Sequence, residues 1–302
     1  MKILASIVTH NRLALLERCV DKVNSQSRKP DQLIVINNGS TDGTSNFLYQ
    51  SNIKHINQDN LGSSGGWRRA IDYAIDNEFD YVWMMDDDGF PDKFALEELL
   101  GHLFIINDDV SCISSIVLKE HEKLSCVFPF PILNSENKPR LFGIPRTISN
   151  FKKLKKYSVG NLYDFAHLFN GALISINHVK KIGNVSDKYY LYGEEIDFFH
   201  RLSSSGRVLT CLEAIHYHPD VNRRSINNSK TYYLIKNSII ISLLYDKPKY
   251  IWAFLRTISH ILKLFSRNGF LYTFGLIFGA HKMLLYKAIF RGLSAKPNKD
   301  YL

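Results

Sequence analysis

Tyr81-Val82-Trp83-Met84-Met85-Asp86-Asp87-Asp88 joins a five-residue apolar run to three consecutive carboxylates. The run reads as a buried strand that delivers its acids to the C-terminal edge of a sheet. Like charges this close are costly unless something neutralises them, which points to a divalent cation and, through it, to a bound diphosphate. If the segment stays extended, Asp86 and Asp88 point the same way and share the ion while Asp87 faces elsewhere. Oxygen ligands favour Mg²⁺ or Mn²⁺, ions that keep positions open for phosphate oxygens. A capping turn before a helix at Asp92 is the plainer alternative, but one aspartate would suffice for it.

Working outward, short β-branched runs alternate with helical patterns: Ile3–Val8, Leu13–Ser25, Gln32–Ile36, Thr41–Gln50, Ile53–Ile56, Ser64–Asn77, Tyr81–Met85, Asp92–Ile106 and Val110–Leu118. Such alternation implies right-handed βαβ units, hence an α/β fold with a mostly parallel sheet flanked by helices. Ligands in these sheets sit beyond the carboxyl ends of the strands. Polar residues collect there: Thr9-His10-Asn11-Arg12, Asn37-Asn38-Gly39-Ser40, Asn60, and the triple aspartate. From Ser125 to Tyr163 prolines and the cluster Lys152-Lys153-Leu154-Lys155-Lys156 replace periodicity, which reads as a long loop or lid with a solvated charge run. Pattern resumes at Phe169–Ile176, in a helix over Glu194–Ser205, a strand over Arg207–His218, and a helix around Tyr232–Leu244.

The charge is unevenly placed. Residues 1–246 balance 28 basic against 28 acidic side chains, whereas Lys247 to Lys299 hold ten Lys and Arg and no acid; with Asp300 included, the tail carries the whole net charge of +9. The same tail is rich in Trp, Phe, Leu and Ile, a mixture that suits an anionic membrane interface better than nucleic acid. A helical cap with a solvated face is the bland reading. The longest uncharged run, Asn268 to Ala280, is too short to cross a bilayer. The expected division is a catalytic domain over 1–246 and a basic amphipathic helical segment over 247–302. Four scattered cysteines with no CxxC pair fit reduced thiols, and MKILASIVTHNR reads as a first strand, not a signal peptide. A cytoplasmic protein held peripherally on the inner face of the cell membrane is expected.

Ser6-Ile7-Val8-Thr9-His10-Asn11-Arg12, Val35-Ile36-Asn37-Asn38-Gly39-Ser40-Thr41-Asp42-Gly43-Thr44, Asn60-Leu61-Gly62, Asp86-Asp87-Asp88 and Gly193-Glu194-Glu195-Ile196-Asp197 together resemble the motifs of family 2 glycosyltransferases. They keep the family's order and spacing over residues 1 to about 245. The resemblance implies a GT-A fold that binds a nucleotide-sugar donor, with Asp86 and Asp88 holding Mn²⁺ or Mg²⁺ against its diphosphate. It implies nucleotide contacts at Arg12, Asn37 and Asn60, although the family's usual residue at the Asn37 position is Asp. It implies substrate contacts as well at Thr9, Asp87, Glu194 and Asp197. Glu195 takes the place of the general base for the acceptor hydroxyl, reaching it from the side opposite the leaving group, so that the sugar inverts. The plain reading of these acids is complementation of a helix N-terminus. The family often adds a metal-binding histidine after the base; His218 is the better match, with His216 as its substitute.

Asn60-Leu61-Gly62-Ser63-Ser64-Gly65-Gly66-Trp67-Arg68-Arg69 is similar to the segment found in bacterial galactofuranosyltransferases of surface polysaccharide synthesis more than to that of rhamnosyltransferases. Paired glycines let backbone approach a sugar or phosphate, and Arg68 or Arg69 can pair with diphosphate; Gly66 and Arg69 are the expected substrate contacts. UDP-galactofuranose is the first donor expectation and dTDP-rhamnose the second. The expected acceptor is an O-antigen or other glycan on a polyprenyl diphosphate. A sugar-1-phosphate nucleotidyltransferase lacks support because its glycine-rich phosphate loop is missing near the N-terminus. A non-catalytic nucleotide-binding or membrane-scaffold protein is the remaining alternative.

Overall fold

The computed structural model describes residues 1–106, 109–135, 137, 139–140, 145–220, 225–295 and 300–301. In chain order the elements are β1 (Ile3–Thr9), α1 (Leu13–Asn24), β2 (Gln32–Asn38), α2 (Thr44–Gln50), β3 (His55–Gln58), α3 (Gly62–Asp76), β4 (Tyr81–Asp86), β5 (Phe90–Pro91), α4 (Ala95–Ile105) and β6 (Val110–Lys119). They continue with β7 (Glu122–Pro131), β8 (Thr147–Asn150), α5 (Phe151–Lys155), β9 (Leu162–Tyr163), β10 (Asn170–Ser175), α6 (Ile176–Ile182), α7 (Glu194–Ser203), β11 (Arg207–His218), α8 (Asn228–Tyr245), α9 (Lys249–Ile277) and α10 (Lys282–Leu293).

Two compact units divide the chain. The first comprises Met1–Leu61, Gly66–Asn184 and Arg201–Asp220 and holds the sheet, whose main path is β3-β2-β1-β4-β10-β6-β11-β5. Strands β3, β2, β1 and β4 run parallel, as the βαβ alternation requires. Val82, Trp83, Met84 and Met85 are fully buried, which places β4 in the interior with both faces covered. Beside it β10 runs antiparallel, between β4 and β6. That strand carries the backbone of Phe169 and Asn170 alongside the acids: the Asp86 N–H donates to the Phe169 carbonyl at 3.0 Å.

The stretch expected to be a long loop or lid carries strands and a helix. Strands β7 and β8 pair with each other, and Cys126, Phe130, Ile132, Ile148, Leu154 and Tyr163 bury themselves with Ile116, Leu118 and Leu212 in a core of their own. Residues 136, 138 and 141–144 of that stretch lie outside the described residues. Prolines hid the strand from pattern reading, since Pro129 and Pro131 stand inside β7, beyond Cys126 where its pairing with β6 ends. The basic cluster on α5 is exposed around buried Leu154.

Within this small core His167 sits among the rings of Phe128, Phe130 and Phe165, with centroids 5.1–5.3 Å away. Burial pulls its imidazole pKa down to about 4, against a hydrogen bond to the Pro129 carbonyl that opposes the shift. An unfolded histidine takes its proton near pH 6.5, so the stability contributed by the neutral ring is complete above that pH and is lost as pH falls toward 4. Urea unfolding at pH 7.5 and pH 5 should therefore show a stability difference that shrinks by about 1 kcal/mol in His167→Phe, after allowance for partial exposure.

The second unit comprises Gly62–Gly65, Val185–His200 and Val221–Leu302. Its core joins Tyr232, Tyr233, Ile235 and Ile239 of α8 to Ala253, Leu264 and Leu276 of α9 and Leu285 and Ala288 of α10. Gly269, at φ +82°, bends α9. The Lys236 side chain is fully buried on α8, and its ammonium pairs with Asp300 at 2.5 Å. A buried cation without this carboxylate would be strongly disfavoured.

Candidate active site

The edge of the parallel block gathers the loops that follow β1, β2 and β4. Strand β4 stops at Asp86, and the chain turns at Asp87 and Asp88. The expected alternation of the three acids therefore does not apply, because it needs an extended backbone. Asp87, expected to face elsewhere, instead works with Asp88: Arg12 Nη1 lies 2.9 Å from Asp87 Oδ1 and 2.9 Å from Asp88 Oδ2. Thr9, at the end of β1, donates its hydroxyl to Asp87 Oδ2 at 2.7 Å. Burial drives the Asp87 carboxyl above the usual range despite Arg12 and Thr9, which pull the other way. Burial also disfavours the Arg12 guanidinium, but its neighbours Asp87, Asp88 and Asp86 more than offset that and raise its pKa. Arg12 thus holds the acids together in this structure.

His218 ends β11 against the triplet. Its Nδ1 lies 2.8 Å from the Pro219 carbonyl, which can only accept, so Nδ1 carries a proton and Nε2 faces Asp88 Oδ1 at 3.0 Å. A bare imidazole nitrogen and a carboxylate oxygen at that separation need a proton or a cation between them. Adjacent ligands held at about 2.1 Å from one ion stand about 3 Å apart, so this pair already has the spacing that a Mg²⁺-sized ion requires. The donor set of one carboxylate and one imidazole also suits Mn²⁺. His216 is placed differently. It is fully buried, both ring nitrogens lack a hydrogen-bond partner among the described residues, and burial followed by repulsion from His218 lowers its pKa to about 3. It is wedged between glycines, since a Cβ on Gly89 would fall 2.3 Å from its Nε2.

The remaining predicted residues on this edge are committed to loop structure. Asn37 is buried; its amide donates to Ser45 Oγ and Asn57 Oδ1, each at 2.8 Å, and its Oδ1 accepts from the Ser40 N–H. An aspartate could not make the two donations, a local reason for the departure from the family's residue. Asn60 lies 3.3 Å from His10 Nε2 and accepts from Asn38, so three strand ends are tied side chain to side chain. Gly66 has no room for a side chain because a Cβ would stand 2.5 Å from Val8 Cγ1, which lets α3 close on β1. Arg69 is exposed on α3.

The second group belongs to the second unit. Glu194, Glu195 and Asp197 occupy the first turn of α7, where acids complement the helix dipole. Glu194 is buried and accepts from Ser63 Oγ; burial pushes its carboxyl up, against that hydrogen bond. Asp197 accepts from the Tyr245 hydroxyl at 2.7 Å. Glu195 lines a cavity of 380 Å³ together with Tyr192, Ile196, Leu234, Arg256 and His260. Just before the helix, Tyr190, Tyr192 and Gly193 all take positive φ (+52°, +60° and +96°). Two tyrosines in the left-handed region are strained and need outside support. Asn237 of α8 supplies it, placing its amide nitrogen 2.8–3.0 Å from the carbonyls of Tyr189, Leu191 and Tyr192. His10 and Ser63 lie within the quoted motifs but were given no role from the sequence, and Asn237 lies outside every motif.

A sequence model described as Glycosyl transferase family 2 matches residues 5–125. Galactofuranosyltransferase GlfT1 of Mycolicibacterium smegmatis is 31% identical over 221 residues, covering 71% of this chain and 70% of the relative. Among solved structures, S. aureus TarS 1-349 in complex with UDP superposes with TM-score 0.60 at 14% identity, covering 98% of this chain and 81% of that one. The mannosyltransferase PcManGT from Pyrobaculum calidifontis, in complex with GDP-Man and Mn²⁺, does so with TM-score 0.55 at 12% identity, covering 97% and 87%. These likenesses show the GT-A fold, and with the motifs and the mycobacterial relative they establish that the chain is a glycosyltransferase belonging to family 2.

Proposed function

We propose that this glycosyltransferase is metal-dependent and inverting, and that it moves galactofuranose from a UDP donor to a polyprenyl-diphosphate-linked glycan in O-antigen or other surface polysaccharide synthesis. The observation that carries the metal reading is the 3.0 Å approach of His218 Nε2 to Asp88 Oδ1 beside Asp87 and Arg12. Asp86, Asp88 and His218 would hold Mn²⁺ or Mg²⁺, which when bound offsets charge on the departing nucleotide diphosphate. Thr9 and Arg12 fix Asp87 and so orient the turn that presents Asp88. Asn37, Asn60, Gly66 and Arg69 serve the donor, and Glu194 and Asp197 flank Glu195, the base that takes the acceptor's hydroxyl proton. The galactofuranose assignment draws support from the name of the mycobacterial relative.

Purified protein incubated with single UDP-sugar or dTDP-sugar donors, with Mn²⁺ or with EDTA, tests the reading through nucleotide diphosphate release. Release from UDP-galactofuranose that EDTA abolishes is the expected outcome. Release from dTDP-rhamnose alone would keep the mechanism and replace the donor. Donor binding with no release under any acceptor would favour the non-catalytic alternative.

We also place the protein on the inner face of the cell membrane. No helix of the described residues is long and apolar enough to cross a bilayer. Yet Ile251, Phe254, Leu255, Leu262 and Phe265 are all exposed along one side of α9, on a tail with ten cations. An apolar stripe of this kind suits an interfacial helix. Because α9 also packs on α8, deletion would damage the fold, and substitution is the cleaner probe. Phe254→Ser combined with Phe265→Ser is expected to lower recovery on anionic vesicles about tenfold in sedimentation, with the thermal midpoint unchanged; equal recovery would refute the placement.

A further inference from the structure

Arg256, His260, Lys263 and Arg267 follow one another on α9 at intervals of four, three and four residues. That spacing puts all four on one side of the helix, in a row about 16 Å long. The row begins in the cavity that holds Glu195, which Arg256, Ser259 and His260 line from α9. Its far end reaches the surroundings of Tyr192, whose hydroxyl feels the Arg267 charge and which lines the same cavity. The exposed apolar side of α9 is the opposite one.

Like charges three and four residues apart on a helix repel, and Arg256, His260 and Arg267 are half-buried while Lys263 is exposed. Burial, then Lys263 and Arg256, bring the His260 imidazole down to about 4; burial, then Arg267, lowers the Lys263 ammonium. Asp246 answers Arg256 at 3.0 Å, whereas Lys263 has no acidic partner among the described residues. A solvated charge run would spread around the helix. This one is concentrated on the side that carries the base's cavity.

We infer that His260, Lys263 and Arg267 form an acceptor subsite for a diphosphate group, with the sugar attached to it entering the cavity at Glu195. The inference rests on the reading of Glu195 as base. Base and leaving group stand on opposite sides of the reacting anomeric carbon, so a diphosphate held beside the base belongs to the acceptor and not to the donor. Helical rise sets Lys263 and Arg267 about 4 and 10 Å beyond His260. The subsite therefore suits an acceptor whose diphosphate is one or two sugars from the reacting hydroxyl, a short glycan on a lipid diphosphate.

The probe is farnesyl diphosphate, titrated calorimetrically into the full chain in detergent, with farnesol and inorganic pyrophosphate as parallel arms. Removing both charges with Lys263→Gln and Arg267→Gln should raise the Kd for farnesyl diphosphate at least tenfold, while Lys282→Gln on α10 leaves it unchanged. Saturating UDP with Mn²⁺ should not displace the probe. An unchanged Kd in the double variant, displacement by UDP, or equal binding of farnesol overturns the assignment. So does pyrophosphate binding as tightly as farnesyl diphosphate, since the site would then serve free phosphate. Glu195→Gln should keep full probe affinity; a loss of transfer there, or its absence, judges the base and leaves the subsite to the titrations.

Discussion

Asp88→Asn is expected to slow nucleotide diphosphate release about a thousandfold without unfolding the protein. The two oxygens of Asp88 do different work: Oδ2 receives Arg12, and Oδ1 lies 3.0 Å from His218 Nε2. An amide of the same shape keeps an oxygen for Arg12 and turns its NH₂ toward His218, where it donates to the bare nitrogen. The pair is then satisfied with no cation between its members. What is lost is the negative charge that makes this edge attractive to a divalent ion, and a barrier increase of about 4 kcal/mol corresponds to a thousandfold. Two measurements on one sample decide the matter. Release of nucleotide diphosphate should fall by that factor, and added Mn²⁺ should no longer raise the thermal midpoint, which in its absence stays within a few degrees of the parent. Activity within tenfold of the parent would mean that Asp88 is not the ion's carboxylate.

The acids were legible before any coordinates because β4 is covered on both faces, so that Val82 to Met85 form an unbroken apolar run and the polar residues after it stand out. The parallel block was legible for a related reason: each of its strands precedes a helix with its own period. Other features left no such mark. Extension through Asp88 was an assumption of pattern reading, and the chain instead turns where Arg12 and Thr9 draw Asp87 back toward β1. Strand β10, which enters between β4 and β6, arrives from far along the chain, and nothing local to Asn170–Ser175 states its direction or neighbours. The hairpin of β7 and β8 was concealed by its own prolines.

The two candidate groups differ in how they are held, and the difference explains which supporting residues escaped notice. At the sheet edge the supports are neighbours by construction: parallel strands bring Thr9, Asn37 and Asn57 into register, so a reader who has the strands has the loop ends too. At α7 the support crosses the sequence. Asn237 stands 45 to 48 residues beyond the carbonyls it holds, inside a buried helix. A buried asparagine among isoleucines is visible as an anomaly in a sequence, but its partners are not.

Glu195→Gln is the second large effect expected. A carboxylate that removes a hydroxyl proton typically contributes a factor of about 10² to 10⁴, and the amide keeps shape and hydrogen bonding while losing basicity. A fall of about a thousandfold in kcat with an unchanged KM for the donor is the anticipated result. The reason for expecting so little change in binding is structural. Glu195 sits one residue into α7, and the preceding strained run at Tyr190, Tyr192 and Gly193 is held by Asn237. Glu195→Asp provides the internal control. It keeps a carboxylate but draws it back by one methylene, so activity should recover to within about tenfold to a hundredfold of the parent, according to how well the acceptor can follow. A glutamine variant as active as the aspartate one would show that position 195 shapes the acceptor cavity without accepting a proton. Recovery in the aspartate variant alone would assign the proton to the carboxylate, because length and charge are then separated at a single residue.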